Sequence, residues 1–432
     1  MRVSIITVGT RGDVQPFAAF GIGLQRAGHA VRICTHPEFR ELVTGNGLDF
    51  APLAAGALSR GTETEEGRRW AERQSRWMPT WVGLIRDARS VAHERMRDAA
   101  AGCRDADVIV ATNLTQILGW QIARERGTPL VRALLNAPAY WMSRRTNRPA
   151  AAAVRQGAWL AARPWLNRVR REALGRGPLP LREPIGRLDR ERQLVLYPFS
   201  PSVFPKPASW GDWIEVTGHW FLDARVDPEP PEDLRAFVEA GPPPVCMGFA
   251  TQLDPDPVAT TRVMVEALRG AGRRGVLLRR PEALAGVELG DDVYALERVT
   301  HDWLFPRCDA VVHHAAAGTT ATVMRSGVPS VAVPHNADQF TWARRLAALR
   351  ISPPPIPRRT LSRERLESAV IGATTSNIMR ERAQALAARI RDEDGVAAAV
   401  AAFERRLGSA ERDVSTARVR PAVLVPAVRN DD

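Results

Sequence analysis

The chain has 432 residues, 45% of them apolar and 25% charged. That excludes a disordered or membrane-embedded chain and supplies enough apolar mass for two cores. Its formal charge is +12, carried almost wholly by arginine, since Lys206 is the only lysine. The arginines are spread along the chain, with a mild excess between 140 and 192, and form no stripe of the kind a nucleic-acid partner would need. Cys34, Cys103, Cys246 and Cys308 are widely separated in sequence, with no C-x-x-C and no zinc-ligand spacing. This argues against a metal site and a disulfide framework and fits a reducing cytoplasm. The first apolar run, Val3 to Val8, is too short for a signal peptide, and no run reaches the length of a membrane span.

In chain order, Val3 to Val8 predicts a buried strand. GTRGDVQP follows as a turn, then a helix from Phe17 to Arg26, then a second strand from Ala30 to Cys34. This β-α-β start predicts a doubly wound sheet, which Asp107 to Ala111 and Pro129 to Ala133 extend. Between these strands Trp70, Trp77 and Trp81 recur on one side of a helix, either as core packing or as an apolar ligand wall. Trp141, Trp159 and Trp165 lie in a second helical, arginine-rich stretch. The candidate apolar ligand pocket takes Trp70, Trp77, Trp81, Asn136 and Trp141. An amphipathic contact of this region with a membrane surface is the alternative.

Proline-rich punctuation at 198–207 and 227–231 marks the middle of the chain. The β-α pattern then restarts. Strands are predicted at Pro244 to Phe249, Gly275 to Leu278, Ala310 to His313 and Ser330 to Val333. Asp256 is the expected cap of a helix running to Leu268, with Pro257 in its first turn. Two similar α/β halves would place their strand ends across one cleft.

Three stretches carry chemistry. VVHHAAAGTT, from Val311 to Thr320, runs from a strand into a helix through small residues. Free N–H groups at a helix N-terminus favour anions, and a histidine and threonines add donors, so it outlines a diphosphate site. A plain turn capped by Thr319 or Thr320 is the structural alternative. Asp338 and Gln339 leave another strand and suit two vicinal sugar hydroxyls, although Asp338 is also a good helix cap. Asp13 is either a general base or a cap of the first helix.

The stretch TVGTRGDVQPFAAFGIGLQRAGHAVRICTHPEF resembles the amino-terminal domain of bacterial glycosyltransferases acting on sterols, glycolipids and antibiotic aglycones. LERVTHDWLFPRCDAVVHHAAAGTTATVMRSGVPSVAVPHNADQ resembles their donor-binding domain. The resemblance implies an α/β GT-B fold of two Rossmann-like domains. The expected division is 1–220 for the acceptor and 221–235 as linker. Residues 236–409 would bind the nucleotide sugar, with a last helix packing back on the first domain, and 410–432 would form a mobile tail. It implies inverting, metal-independent transfer from a UDP- or TDP-sugar to an apolar small molecule, with the nucleotide sugar as co-substrate and no other cofactor. Membrane contact would be peripheral at most.

Residue by residue, the resemblance puts Asp13 at the acceptor hydroxyl as base. It puts His314, Gly318, Thr319 and Thr251 at the diphosphate, and Asp338 and Gln339 at the sugar. Arg298, Val299 and His301 would line the nucleobase pocket. His29, His36, His219 and His313 are read as structural. The chain departs from the family where Ala315, Ala316 and Ala250 replace glycines, at Arg279-Arg280-Pro281, and at His335-Asn336-Ala337. If Ala315 or Ala316 needs a positive φ, the methyl strains the turn by about 1–2 kcal/mol.

Overall fold

The computed structural model describes residues 1–55, 89–136, 148–222, 229–249, 254, 256–335 and 337–418. Two all-parallel sheets organise them. The first contains β1 (Arg2–Ile6), β2 (Ala30–Thr35), β3 (Asp49–Pro52), β4 (Val108–Ala111), β5 (Leu130–Ala133), β6 (Val195–Tyr197) and β7 (Ile214–Val216). Its strand order is β3-β2-β1-β4-β5-β6-β7. The second contains β8 (Val245–Gly248), β9 (Gly275–Leu278), β10 (Val293–Leu296), β11 (Ala310–His313) and β12 (Ser330–Ala332), in the order β10-β9-β8-β11-β12. Each sheet reverses its direction of winding beside its first strand, between β1 and β4 and between β8 and β11. Such switch points open crevices at the carboxyl ends of the strands. The turn after β1 leads to Asp13, and the turn after β11 holds His314. Both stretches singled out in the sequence therefore leave a switch point.

The buried strands are short apolar runs covered by helices on both faces, as parallel sheets require. The first helix differs from its expected start. It spans Arg11–Arg26, so RGDVQP is its first turn and a half and not a connecting turn. The strands β3, β6, β7 and β10 have weak signals, being three or four residues long and in part half-exposed. A helix, Glu232–Glu239, starts inside the stretch expected to be linker. The last helix spans Gly395–Arg418, past the point where periodicity fades; residues 419–432 lie outside the described ones.

This last helix returns to the first domain. Val400 and Phe403 enter its core with Phe20 and Trp220. A methyl on Gly23 would stand 2.4 Å from Val396 Cγ1, so the helices Arg11–Arg26 and Gly395–Arg418 cross at backbone distance. The domains also share an aromatic cluster. Phe199 and Phe204, which follow β6, pack edge-on to Trp342 of the second half, with ring centroids 6.2 and 5.1 Å away. Leu346, Leu386 and Ile390 close this cluster. The four cysteines, far apart in sequence, meet as two buried thiol pairs, Cys34 with Cys103 and Cys246 with Cys308. Among the described residues no helix is long and apolar enough to cross a membrane.

Trp342 is 1% exposed and central to the contact between the halves. Trp342→Ala should cost about 3–5 kcal/mol, as large-to-small core changes do. Urea unfolding measures this, and a loss under about 1 kcal/mol would show that the cluster does not bind the halves together.

Candidate active site

The first-domain side is built around Gly9. Its φ of +132° suits only glycine, and a methyl there would stand 2.4 Å from Asp13 Oδ2. Freed of that clash, the Asp13 carboxylate folds back over the helix start. Oδ2 accepts bonds from Thr10 N (2.8 Å) and Thr10 Oγ1 (3.0 Å). Thr7 Oγ1 donates to the Asp13 carbonyl at 2.8 Å. Thr10 is the N-cap, and Asp13 is the third helical residue in a reciprocal capping box. The capping reading of Asp13 is thus met by Oδ2, and the residue remains half-buried. Burial raises its pKa; the Thr10 bonds lower it, and the Asp338 charge raises it further. Asp338 therefore lies within electrostatic reach of Asp13, which brings two of the predicted residues together across the domains.

The second-domain side is the turn after β11. The helix there spans Ala317–Ser326, and its N-cap is Ala316, with no side-chain bond to the first turn. Thr319 and Thr320 lie inside the helix, so neither is the cap that the structural alternative needed. The first-turn N–H groups are left for water or a ligand. His314 precedes them, 3% exposed, with Nδ1 unpartnered among the described residues. Burial holds its pKa at about 3, helped by His313, His335 and His301. A neutral imidazole keeps one N–H to donate. His313, at about 3, is fully buried behind it and accepts from Ala315 N at 3.3 Å, in keeping with its structural reading.

Ala315 has a φ of +63°, so the turn does use the left-handed region that its alanine resists. Its methyl is fully buried and packs in the interdomain cluster. The substitution therefore adds a contact to the core and leaves the cleft uncrowded at that point. Ala316, at φ −69°, is extended and unstrained. The helices Arg11–Arg26 and Ala317–Ser326 face each other by their N-termini. A methyl on Gly318 would stand 3.7 Å from Gly12 Cα.

After β12, the helix Ala337–Ala348 carries Asp338 in its first turn, inside the helix and not at its cap. Gln339 is 3% exposed and its Oε1 accepts from His335 N at 2.7 Å, so its carbonyl is committed to shaping this turn. His335 lies 6.5 Å from His314, ring to ring, and its Nδ1–H donates to Val333 O (2.9 Å). Arg279 is 9% exposed. It pairs with Asp254 at 3.4 Å and donates to Thr261 Oγ1 and Pro257 O. Arg358 meets the other Asp254 oxygen at 2.7 Å. This network ties the ends of β8, β9 and β12 together next to His335.

Of the expected nucleobase residues, His301 starts a short helix and stacks on Phe305 at 4.3 Å. Val299 packs in the core nearby, and Arg298 points to solvent beside Glu297. Burial and then Arg11 depress His301 to about 4. Arg11 thus reaches from the first domain toward the second. It lies inside the quoted GTRGD turn, two residues before Asp13, and its charge was the signal for a further role. Asn136 is half-buried beyond β5. Trp70, Trp77, Trp81, Trp141 and Thr251 lie outside the described residues. Trp159 is core, edge-on to Trp120 at 6.3 Å.

Comparisons with known proteins bear on the family and the fold. Residues 3–117 match the glycosyltransferase family 28 N-terminal domain, and residues 280–399 the erythromycin biosynthesis protein CIII-like C-terminal domain. Two sterol 3-beta-glucosyltransferases of Arabidopsis thaliana are similar to nearly the whole of this chain and to about two thirds of their own length. One is 32% identical over 94% of this chain and 68% of its own, the other 33% over 96% and 67%. The chain belongs to the UDP-glycosyltransferase family. It is a glycosyltransferase of the GT-B type. The chain spans about a third of a sterol 3-beta-glucosyltransferase of Aspergillus clavatus, at 32% identity. The calicheamicin glycosyltransferase CalG4 shares the fold, with a TM-score of 0.67 at 18% identity over 97% of this chain and 99% of its own. Glycosyltransferase VinC, solved with dTDP, does so with a TM-score of 0.65 at 20% identity over 95% and 100%.

Two outcomes follow for this glycosyltransferase. Ala315→Gly relieves about 1–2 kcal/mol of strain. It loses about 0.8 kcal/mol of methyl burial and about 0.5–1 kcal/mol of backbone restriction. Its stability in urea should stay within about 1 kcal/mol of wild type, and a loss beyond about 2 kcal/mol would contradict the offset.

Burial also holds His36 and His219 at about 4, so with His301, His313, His314 and His335 six imidazoles are neutral when folded. Unfolded imidazoles charge near 6.5, so the unfolded state binds more protons in the window between about 4 and 6.5. Asp13 and Glu393, both raised, oppose this with fewer groups. The melting temperature should fall as pH drops from about 6.5 to 4, and a flat profile over that window would contradict the burial.

Proposed function

We propose that the chain transfers a hexose or deoxyhexose from a UDP- or TDP-sugar to a hydroxyl of an apolar acceptor, with inversion and without a metal. The acceptor is a sterol-like, terpenoid or polyketide molecule. The single observation that carries this reading is the facing of the Asp13 helix start and the helix start after His314, Gly12 against Gly318 across two sheet switch points, with Asp338 within electrostatic reach of Asp13. The similarity to sterol glucosyltransferases supports a lipophilic acceptor.

In this mechanism the acceptor O–H gives its proton to Asp13 as its oxygen attacks the anomeric carbon. The bond from that carbon to the diphosphate breaks, and attack from the far face inverts the centre. The charge growing on the diphosphate is met by the uncapped N–H groups of Ala317, Gly318 and Thr319, by the neutral His314 and by Arg11. Donors fixed in advance cost no reorganisation during the step. Asp338 and Gln339 hold sugar hydroxyls; Val299 and His301 lie toward the nucleobase.

Asp13→Asn keeps the size and the cap but removes the base. Turnover with an apolar acceptor and a UDP- or TDP-sugar should fall at least about a hundredfold, while nucleotide binding persists. For wild type, kcat/KM should decline on the acid side with an apparent pKa above the usual carboxylate value, because the ionised form of a raised carboxyl is the active one. Undiminished turnover in the variant would remove Asp13 as base.

A further inference from the structure

The helix Arg148–Leu174 lies on the first domain by one face. Trp159 and Val169 turn inward, 6% and 1% exposed. The opposite face is unusual. Ala153, Val154, Gly157, Leu160, Ala161 and Pro164 are all exposed, and this face carries no charge over more than two turns. Val154 is 72% exposed and Leu160 45%. The segment 179–183 runs alongside and is strapped down by its polar groups. Arg163 Nε donates to Leu179 O (2.9 Å), Gln156 Nε2 to Leu181 O (2.8 Å), and Glu183 N to Gln156 Oε1 (3.0 Å). The strap sends its polar atoms inward and leaves Leu181 65% exposed. Six large hydrophobic residues are exposed among the described ones, and three of them meet on this face. A solvated helix has the reverse pattern.

Cations continue the same stripe. Arg168 and Arg171 follow Pro164 at helical spacing, and Arg182 follows Leu181; all three are exposed, and none has an ion pair among the described residues. The acidic neighbours are occupied, Glu172 by His93 at 2.6 Å and Glu183 by Arg155 at 3.6 Å. An apolar face bordered by unpaired arginines matches a surface with an apolar interior and anionic headgroups.

We propose that this face, the outer side of helix 148–174 with Leu181, docks the chain on an anionic phospholipid bilayer. The apolar side chains enter the headgroup boundary and the arginines meet the phosphates. Trp159, whose ring is in the core and whose Nε1 donates to Pro180 O at 3.0 Å, takes no part. The docking goes beyond the transfer reaction, and its test needs no turnover.

The full chain is sedimented with vesicles of phosphatidylcholine alone and of an equimolar mixture with phosphatidylglycerol. Wild type should pellet with the mixture, weakly with phosphatidylcholine, and less as salt rises. Each arginine neutralised should lower partitioning about fivefold, so Arg168→Gln with Arg171→Gln should lower it about twenty-fivefold. Leu160→Ser with Leu181→Ser should weaken it independently, and unchanged melting temperatures check that both variants fold. No pelleting of wild type with either vesicle would overturn the proposal, as would equal pelleting of wild type and both variants. A wild-type dimer that the serine pair dissociates would assign the face to a second copy, and overturn it too.

Discussion

The site depends on two helix N-termini that point at each other from different domains. Helix Arg11–Arg26 begins at the winding reversal of the first sheet and helix Ala317–Ser326 at that of the second. They meet at Gly12 and Gly318 with room for little more than a methyl. Each N-terminus carries partial positive charge, so the facing is unfavourable by itself. The acid Asp13 answers it from one side. From the other side the helix has no capping side chain, which leaves its N–H groups for an anion. The aromatic cluster at Trp342 and the return of helix Gly395–Arg418 to the first domain hold this arrangement together.

The histidines add hydrogen-bond donors to this place without adding positive charge. His301, His313, His314 and His335 gather near the turn, and burial keeps them neutral, helped by neighbouring histidines at His313 and His314 and by arginines at His301 and His335. A neutral imidazole donates a hydrogen bond and does not trap an anion as strongly as a cation would. The fixed charge comes from Arg11 and from the Arg279 and Arg358 pair around Asp254. Asp254 offsets one of those two charges at short range.

Much of the architecture was legible because parallel strands buried on both faces read as short apolar runs. The strands β9 and β11 have the ends their composition predicts, and Asp256 caps its helix through Ala259 N at 2.9 Å. The start of the first helix was not legible. Gly12 and Pro16 look like turn punctuation, yet the helix runs through both: Pro16, in its second turn, forgoes only the bond an N–H would give to Gly12 O, and the Thr10–Asp13 capping box fixes the start. Strands β3, β6 and β7 are short and gain their pairing from neighbours distant in sequence. Arg11 was missed for the same reason: its meaning lies in His301, which only the packing of the domains brings near. The strain that a positive φ would put on the alanines of the second turn was foreseeable, and Ala315 has that φ. Their consequence could not be read locally, because it rests on where the Ala315 methyl goes, and that is the interdomain core.

The central claim is that a nucleotide diphosphate is held at the start of helix Ala317–Ser326 by groups from both domains. Calorimetric titration of UDP and of TDP into wild type, His314→Ala and Arg11→Ala tests it most directly. Wild type should bind at least one of them, and each variant should bind it about ten- to a hundredfold more weakly, the weight of one charge-assisted hydrogen bond. Binding of neither nucleotide by wild type, or equal binding by wild type and both variants, would contradict it.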